Sequence, residues 1–405
     1  MKKGENMRIL ILWRDLPDPT HPSLARPYYF IKYNRNHKIS LLSYSHSSSS
    51  SMEFFKNNCE RIELVERPYI NSVSHLLVNI KNRTSFDNIL NTRDLNILKD
   101  YSPIMNHRLN KILDSEKYDV VYSDYMMMQY LYNKRLNIPV ILEFFSPTLH
   151  VFCQQYLYES NSFKKIEHIF KYFFYKMFEV SRYSEFDAGI YVSNSHREYS
   201  KPLLTRKSYI VPPGVDLDIS MSSSIFSSPN IVFVGSMNYF VNAHSIIDFI
   251  ENIYPLIKAE IPNITLYIIG RDPPDNLRKL ASMDKSIIVT GEVDDVVEFY
   301  KYEPQVVIVP IIIDDGGIKT KVIEAMGMGK AIVTTSIGSR NIGASNGKEL
   351  LIADTPSEFA NYTSLLLKDH KKRGELGRNA RKFAEKNYSW TYVTGLLEKI
   401  IEDFK

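Results

Sequence analysis

The segment from Val306 to Thr335 constrains the fold more tightly than any other. An apolar run, Val306 to Ile313, leads into Asp314-Asp315-Gly316-Gly317-Ile318-Lys319-Thr320-Lys321-Val322-Ile323-Glu324-Ala325-Met326-Gly327-Met328-Gly329-Lys330, and a second apolar run starts at Ala331. Uninterrupted apolar runs of this length suit strands buried on both faces, and the glycine turn and short helix between them make a parallel α/β unit. Open parallel sheets bind ligands at the carboxyl ends of their strands, where helix N-termini offer free N–H groups to anions. Gly316 and Gly317 allow close backbone approach, while Lys319 and Lys321 bring positive charge. Glu324 shares a helix face with Thr320 and Lys321. Amides and lysines for phosphate, beside one acid for sugar hydroxyls, read as a nucleotide-sugar site.

The 405 residues suffice for two domains with substantial cores, and 44% apolar with 24% charged residues is the composition of a globular protein. A net charge of +4 fits an anionic small ligand or a membrane surface and is too weak to argue for nucleic acid. Cys59 and Cys153 form no metal or redox spacing. No apolar segment approaches the roughly 20 residues needed to cross a bilayer. The apolar run Ile9 to Trp13 is too short for a signal core, so the expected location is the cytoplasm, with the inner face of the membrane as a further expectation.

Strands are expected at Arg8–Trp13, Lys38–Tyr44, Asp119–Ser123, Pro139–Phe145, Asp187–Ser193 and Tyr209–Val211. A proline-rich loop, Leu16 to Pro27, and a helix from Tyr28 follow the first of these. The alternation restarts at Asn230–Gly235, with strands at Thr265–Gly270, Ser286–Thr290 and Val306–Ile313. Helices are expected at Ala243–Lys258, Asn276–Met283 and Val296–Tyr302 between them. Two doubly wound α/β sheets result. The serine-rich stretch Ser220 to Ser228 marks a linker, Ser47 to Ser51 a solvated run, and Pro356 to Lys405 a helical tail broken near Asn387 to Trp390. Phe163 to Tyr183, dense in aromatics and lysines, leaves two readings open: a core helix whose lysines snorkel, or a bilayer-surface helix.

These residues resemble a glycosyltransferase of the GT-B fold, in particular the retaining family 4 (glycosyl transferases group 1), most strongly over Asn230 to Trp390. The resemblance rests on Phe233-Val234-Gly235-Ser236-Met237-Asn238-Tyr239, Ile268-Ile269-Gly270-Arg271, Val289-Thr290-Gly291-Glu292-Val293-Asp294-Asp295 and Lys321 to Lys330, in that order. It is fainter over Val211-Pro212-Pro213-Gly214-Val215-Asp216 and Tyr388-Ser389-Trp390. It implies two Rossmann-like domains facing each other across a cleft. Residues 1–217, joined by a C-terminal helix at 388–405, would bind the acceptor, and residues 218–387 would bind the donor. The implied reaction is a hexosyl transfer from a nucleoside diphosphate sugar, with retention, to a glycan or lipid-linked acceptor. Surface polysaccharide or glycoconjugate synthesis is the implied setting.

By the same resemblance, Gly235 and Ser236 lie at the diphosphate, Gly291 and Val293 beside the base, and Glu324 on the ribose hydroxyls. Lys319 and Lys321 neutralise the leaving diphosphate, helped by Gly316, Gly317, Ile318 and Thr320. Two departures stand out. Gly316 occupies the place of the first acid of the family's pair, with Asp314 and Asp315 as substitutes, and no basic residue lies between Gly235 and His244. More weight then falls on the lysines and on Arg271. Lys319, nearer the glycine turn, is expected to be the freer of the two lysines toward solvent. In the first domain, Glu143 and His150 are candidates for meeting acceptor or sugar, and Arg26 stands where a glycine-rich turn often lies. Asp216-Leu217-Asp218 mimics a metal motif in the wrong setting, so no cofactor and no metal are expected. A non-catalytic nucleotide-sugar-binding module and a sugar-nucleotide epimerase remain as alternatives.

Overall fold

The computed structural model describes residues 6–45, 52–67, 102–131, 136–159, 161–180, 183–201, 205–217, 229–293 and 306–405. Both serine runs, Asp218, Asp294, Asp295 and the helix expected at Val296–Tyr302 lie outside the described residues. By internal compactness the chain divides into two units, Met1–Pro212 with Thr394–Lys405, and Pro213–Val393. Each holds one parallel sheet with flanking helices.

The first sheet has seven strands: β1 Arg8–Asp15, β2 Lys38–Tyr44, β3 Arg61–Val65, β4 Val120–Asp124, β5 Val140–Glu143, β6 Ala188–Tyr191 and β7 Lys207–Ile210. Their order is β3-β2-β1-β4-β5-β6-β7, and every pairing is parallel. The strands read as apolar runs because both faces are covered: Ile9 to Trp13 are all fully buried. The sequence misses β3, whose polar edge residues Arg61 and Glu63 pair with each other instead of forming an apolar run. The proline-rich loop is also corrected: residues Pro22–Tyr33 are helical, with Pro22 in the first turn and Pro27 inside. Proline costs little in a first turn, and burial of Tyr29, Phe30 and Ile31 outweighs the N–H lost at Pro27.

The second sheet has six strands: β8 Asn230–Val234, β9 Thr265–Ile269, β10 Ile287–Gly291, β11 Val306–Val309, β12 Ala331–Thr334 and β13 Leu351–Ile352. They are ordered β10-β9-β8-β11-β12-β13, again all parallel. This is the doubly wound order, with its reversal between β8 and β11, where such sheets take ligands. The long helix expected at Ala243–Lys258 is two helices, Phe240–Asn252 and Tyr254–Glu260, because Pro255 opens the second. The tail forms Pro356–Lys368, His370–Tyr388 and Trp390–Glu402. Each unit is thus Rossmann-like, a sheet of parallel strands with flanking helices.

Candidate active site at the sheet reversal of the second unit

Three glycines bring the carboxyl ends of β8, β9 and β10 together. Gly235 N–H donates to Ile269 O and Gly270 N–H to Gly291 O, both at 2.9 Å. A Cβ on Gly270 would fall 1.8 Å from Gly235 O, so only glycine fits. Beside this edge, the loop after β11 carries Asp314 to Lys319 into helix Thr320–Gly327, which opens with no side-chain cap. Val322 N–H donates to Lys319 O at 2.9 Å, and the helix's partial positive charge lies at the sheet edge.

Lys321 lies in the first turn of this helix, partly buried. Its Nζ donates to Asn242 Oδ1 at 2.6 Å and stands 4.3 Å from the centroid of the Phe233 ring. A Cβ on Gly235 would meet that Nζ at 2.5 Å, so the absence of a side chain at Gly235 makes room for the ammonium. Burial, followed by the charge of Lys319, pulls the Lys321 ammonium down to about 7, against the opposing pull of Glu324 and Asp315. Glu324, one turn on and also partly buried, is shifted upward by burial, with Lys321 opposing. A lysine lowered and an acid raised by burial on one helix face are the pattern expected of a ligand site.

The two aspartates serve the loop itself. Asp315 pairs with Lys319 and accepts from Tyr239 Oη at 2.7 Å and from Gly317 N–H at 3.0 Å. Burial raises its carboxyl, but Lys319 and these donors outweigh burial and hold it below its ordinary value. Asp314 pairs with Arg340 and accepts from Gly316 N–H at 3.0 Å. Two sequence expectations change. The Gly316 and Gly317 amides are already engaged and are not spare phosphate donors; with φ +77°, Gly316 supplies the turn. Lys319 is buried and ion-paired, the reverse of the freer lysine, because Asp315 four residues earlier captures it. Ile318 and Thr320 are partly buried beside it.

Ser236, Arg271 and Asn238 form a chain at the same edge: Arg271 Nε donates to Ser236 Oγ at 3.2 Å, and Ser236 Oγ to Asn238 Oδ1 at 2.8 Å. Arg271 is exposed. Gly291 adopts φ +75°, and Val293 follows it, packed at the rim of the core. The structure therefore gathers Gly235, Ser236, Arg271, Lys321 and Glu324 around one sheet edge. Asn242 and Phe233, which hold Lys321, are the additions that sequence reasoning missed. Asn242 sits in an ordinary amphipathic helix, and nothing in its spacing sets it apart.

In the first unit, Glu143 is not presented to a ligand. It is fully buried, with Arg26 Nη1 at 2.7 Å from Oε1 and Tyr122 Oη donating to Oε2. Arg26 Nη2 donates to Val211 O at 2.7 Å, so this arginine is a buried brace for strand ends. His150 stacks on Tyr199, ring centroids 3.9 Å apart, and its Nε2 is 3.4 Å from Gln154 Nε2. Asp124, across the ladder from Glu143, carries no distinguishing sequence signal; burial pushes its carboxyl up to about 7. Among the described residues, the His, Cys, Asp and Glu groups with metal-compatible spacing reduce to His37, Glu398 and Glu402, in the first unit.

Residues 228–369 match the family model described as glycosyl transferases group 1. The chain is 26% identical over 319 residues to an uncharacterized 44.6 kDa protein in the cps region of Klebsiella pneumoniae, covering 76% of this chain and 78% of that protein. Among solved structures it resembles sucrose-phosphate synthase from Thermosynechococcus elongatus, with TM-score 0.66, 13% identity and 98% of each chain covered. It also resembles Anabaena HepE in complex with UDP and glucose, with TM-score 0.65, 12% identity, and 98% of this chain and 99% of that one covered. This protein thus has the GT-B glycosyltransferase fold, and its second unit carries the glycosyl transferases group 1 match over residues 228–369.

Proposed function

We propose that this protein transfers a hexosyl group from a nucleoside diphosphate sugar to a glycan or lipid-linked acceptor with retention, in the synthesis of a surface polysaccharide. The observation that carries this reading is the Lys321 ammonium, held by Asn242 against Gly235 at the reversal of the sheet and three residues before Glu324. The complex of HepE with UDP and glucose supports the donor class, and the cps region of the Klebsiella relative supports the setting.

In this reading the diphosphate lies over the uncapped first turn of helix Thr320–Gly327, where amides and Lys321 take up charge as the glycosidic bond loosens. Glu324 accepts from the ribose hydroxyls. Lys319 acts one step back: paired with Asp315, it fixes the glycine turn, and its charge adds to the burial that lowers the Lys321 ammonium. The carboxylate beside Lys321 on the helix face is Glu324, which this reading assigns to the ribose and not to attack on the sugar. Asp314 and Asp315 are both engaged, which favours front-face transfer without a covalent intermediate.

Incubation with a panel of nucleoside diphosphate sugars, without acceptor, tests the proposal. Slow release of nucleoside diphosphate supports a transferase. An isomerised sugar would indicate an epimerase, and binding without turnover a non-catalytic module.

A further inference from the structure

The first unit carries a pair of packed helices, Thr148–Tyr158 and Ser162–Val180, whose outer side gathers several of the exposed large apolar side chains among the described residues. Phe163 is 83% exposed, Phe170 and Phe173 57%, and Ile166 50%. Single exposed apolar residues are ordinary, but these four recur at i, i+3, i+7 and i+10 and lie within about 80° of one helix face. Leu157 (63% exposed), Tyr156 and Tyr158 sit on the neighbouring helix. A core helix would bury this stripe, so the snorkelling-core reading of the sequence fails for its described side chains.

Beside the stripe, three lysines stand against two glutamates. Lys165 and Lys176 fall on the same flank; the Lys165 ammonium lies 5.3 Å from the Tyr156 ring centroid, and that of Lys176 5.8 Å from Tyr172. Exposed Lys164 adds to them, against Glu159 and Glu167. Aromatic rings at a rim, ammonium groups held over them and large apolar side chains beyond are what a bilayer surface accommodates: phosphate near the lysines, the upper acyl segments around the phenylalanines. No described helix is long and apolar enough to cross a membrane, so the mode is lying on the surface.

We infer that the face formed by Phe163, Ile166, Phe170, Phe173 and Leu157, rimmed by Lys165 and Lys176, docks the protein on an anionic phospholipid bilayer. This adds a partner that would bring a lipid-linked acceptor within reach, and it stands on the first unit alone, independent of the donor site.

Flotation of the full chain with phosphatidylcholine vesicles, with and without phosphatidylglycerol, is the test. The expected result is flotation with the anionic vesicles, weakened by salt and by the Lys165→Glu/Lys176→Glu double change. Phe163→Ser/Phe170→Ser should cut partition by about a hundredfold or more, the loss expected for two buried phenyl rings. Its thermal shift with UDP should match the parent's, which separates this face from the donor site and shows that the variant is folded. Absence of flotation, or flotation that the serine variant retains in full, overturns the inference. A dimer in sedimentation that the serine variant dissolves, with no vesicle binding, would assign the face to a second copy of the chain.

Discussion

Lys321 Nζ and Asn242 Oδ1 are 2.6 Å apart, although 79 residues separate them in the chain. This bond parks an ammonium in the space that a side chain at Gly235 would fill, where burial holds it near the point of losing its proton.

Binding of a nucleoside diphosphate should therefore depend on pH. The protonated lysine binds the anion, so affinity should fall by about tenfold per pH unit above about 7. The sign for the empty protein is opposite. The folded value lies below the ordinary 10.5, so between about 7 and 10.5 the unfolded chain holds more protons and stability rises with pH. Calorimetry in buffers of different ionisation enthalpy should show proton uptake on binding at pH 8; binding without uptake would remove Lys321 from the diphosphate.

Replacing Lys321 by alanine should lower turnover by roughly two to three orders of magnitude, the scale of a lost oxyanion donor. Gly235→Ala should reproduce much of that loss, because its methyl group displaces the mobile ends of Lys321 and Asn242 while sparing the backbone. Steady-state kinetics on both variants decide the point. Normal turnover with only a raised donor Michaelis constant would make Lys321 a uniform binder.

Glu324→Gln should weaken nucleotide affinity by about ten- to a hundredfold, the equivalent of roughly 1.5–3 kcal/mol for hydrogen bonds to a charged group. The melting temperature should hold or rise, since the carboxylate is already disfavoured by burial. Unchanged affinity would detach Glu324 from the ribose.

Activity should survive EDTA. A divalent ion at the glycine turn would have to displace Arg340 from Asp314 and Lys319 from Asp315. Complete loss on chelation, restored by Mg²⁺ or Mn²⁺, would show that these pairs open in the working enzyme.

The Arg26–Glu143 pair gives a stability prediction. Arg26→Met strands a fully buried carboxylate and should cost about 3–5 kcal/mol, whereas Arg26→Met with Glu143→Leu should recover most of it. Urea midpoints at constant slope would measure both. A single variant as stable as the parent would mean that Glu143 has another route to neutrality.

The strands were legible because parallel strands covered on both faces leave continuous apolar runs; β1, β2 and β11 can be read directly. That Lys321 and Glu324 share one helix face just past a glycine turn was legible from their spacing. Pairings between distant elements were not. No periodicity connects Arg26 to Glu143 or Asn242 to Lys321, since a buried ion or amide pair is decided by where strand ends meet. Lys319 misled for a local reason: an Asp four residues earlier is also what a solvated turn would show, and only burial distinguishes the two.

The first unit is written in two separated pieces of chain. His37, fully buried in its side chain, faces Glu398 at 3.5 Å and Glu402 at 3.8 Å, and Lys207 Nζ lies 4.6 Å from the Phe404 ring centroid. These partners belong to residues 394–405, which leave the ribosome only after the whole second unit has been made. During synthesis the first sheet must therefore wait, with this edge of its core uncovered, while the second unit is made. A chain ending at residue 393 would therefore complete the later-made unit and leave the earlier-made one incomplete.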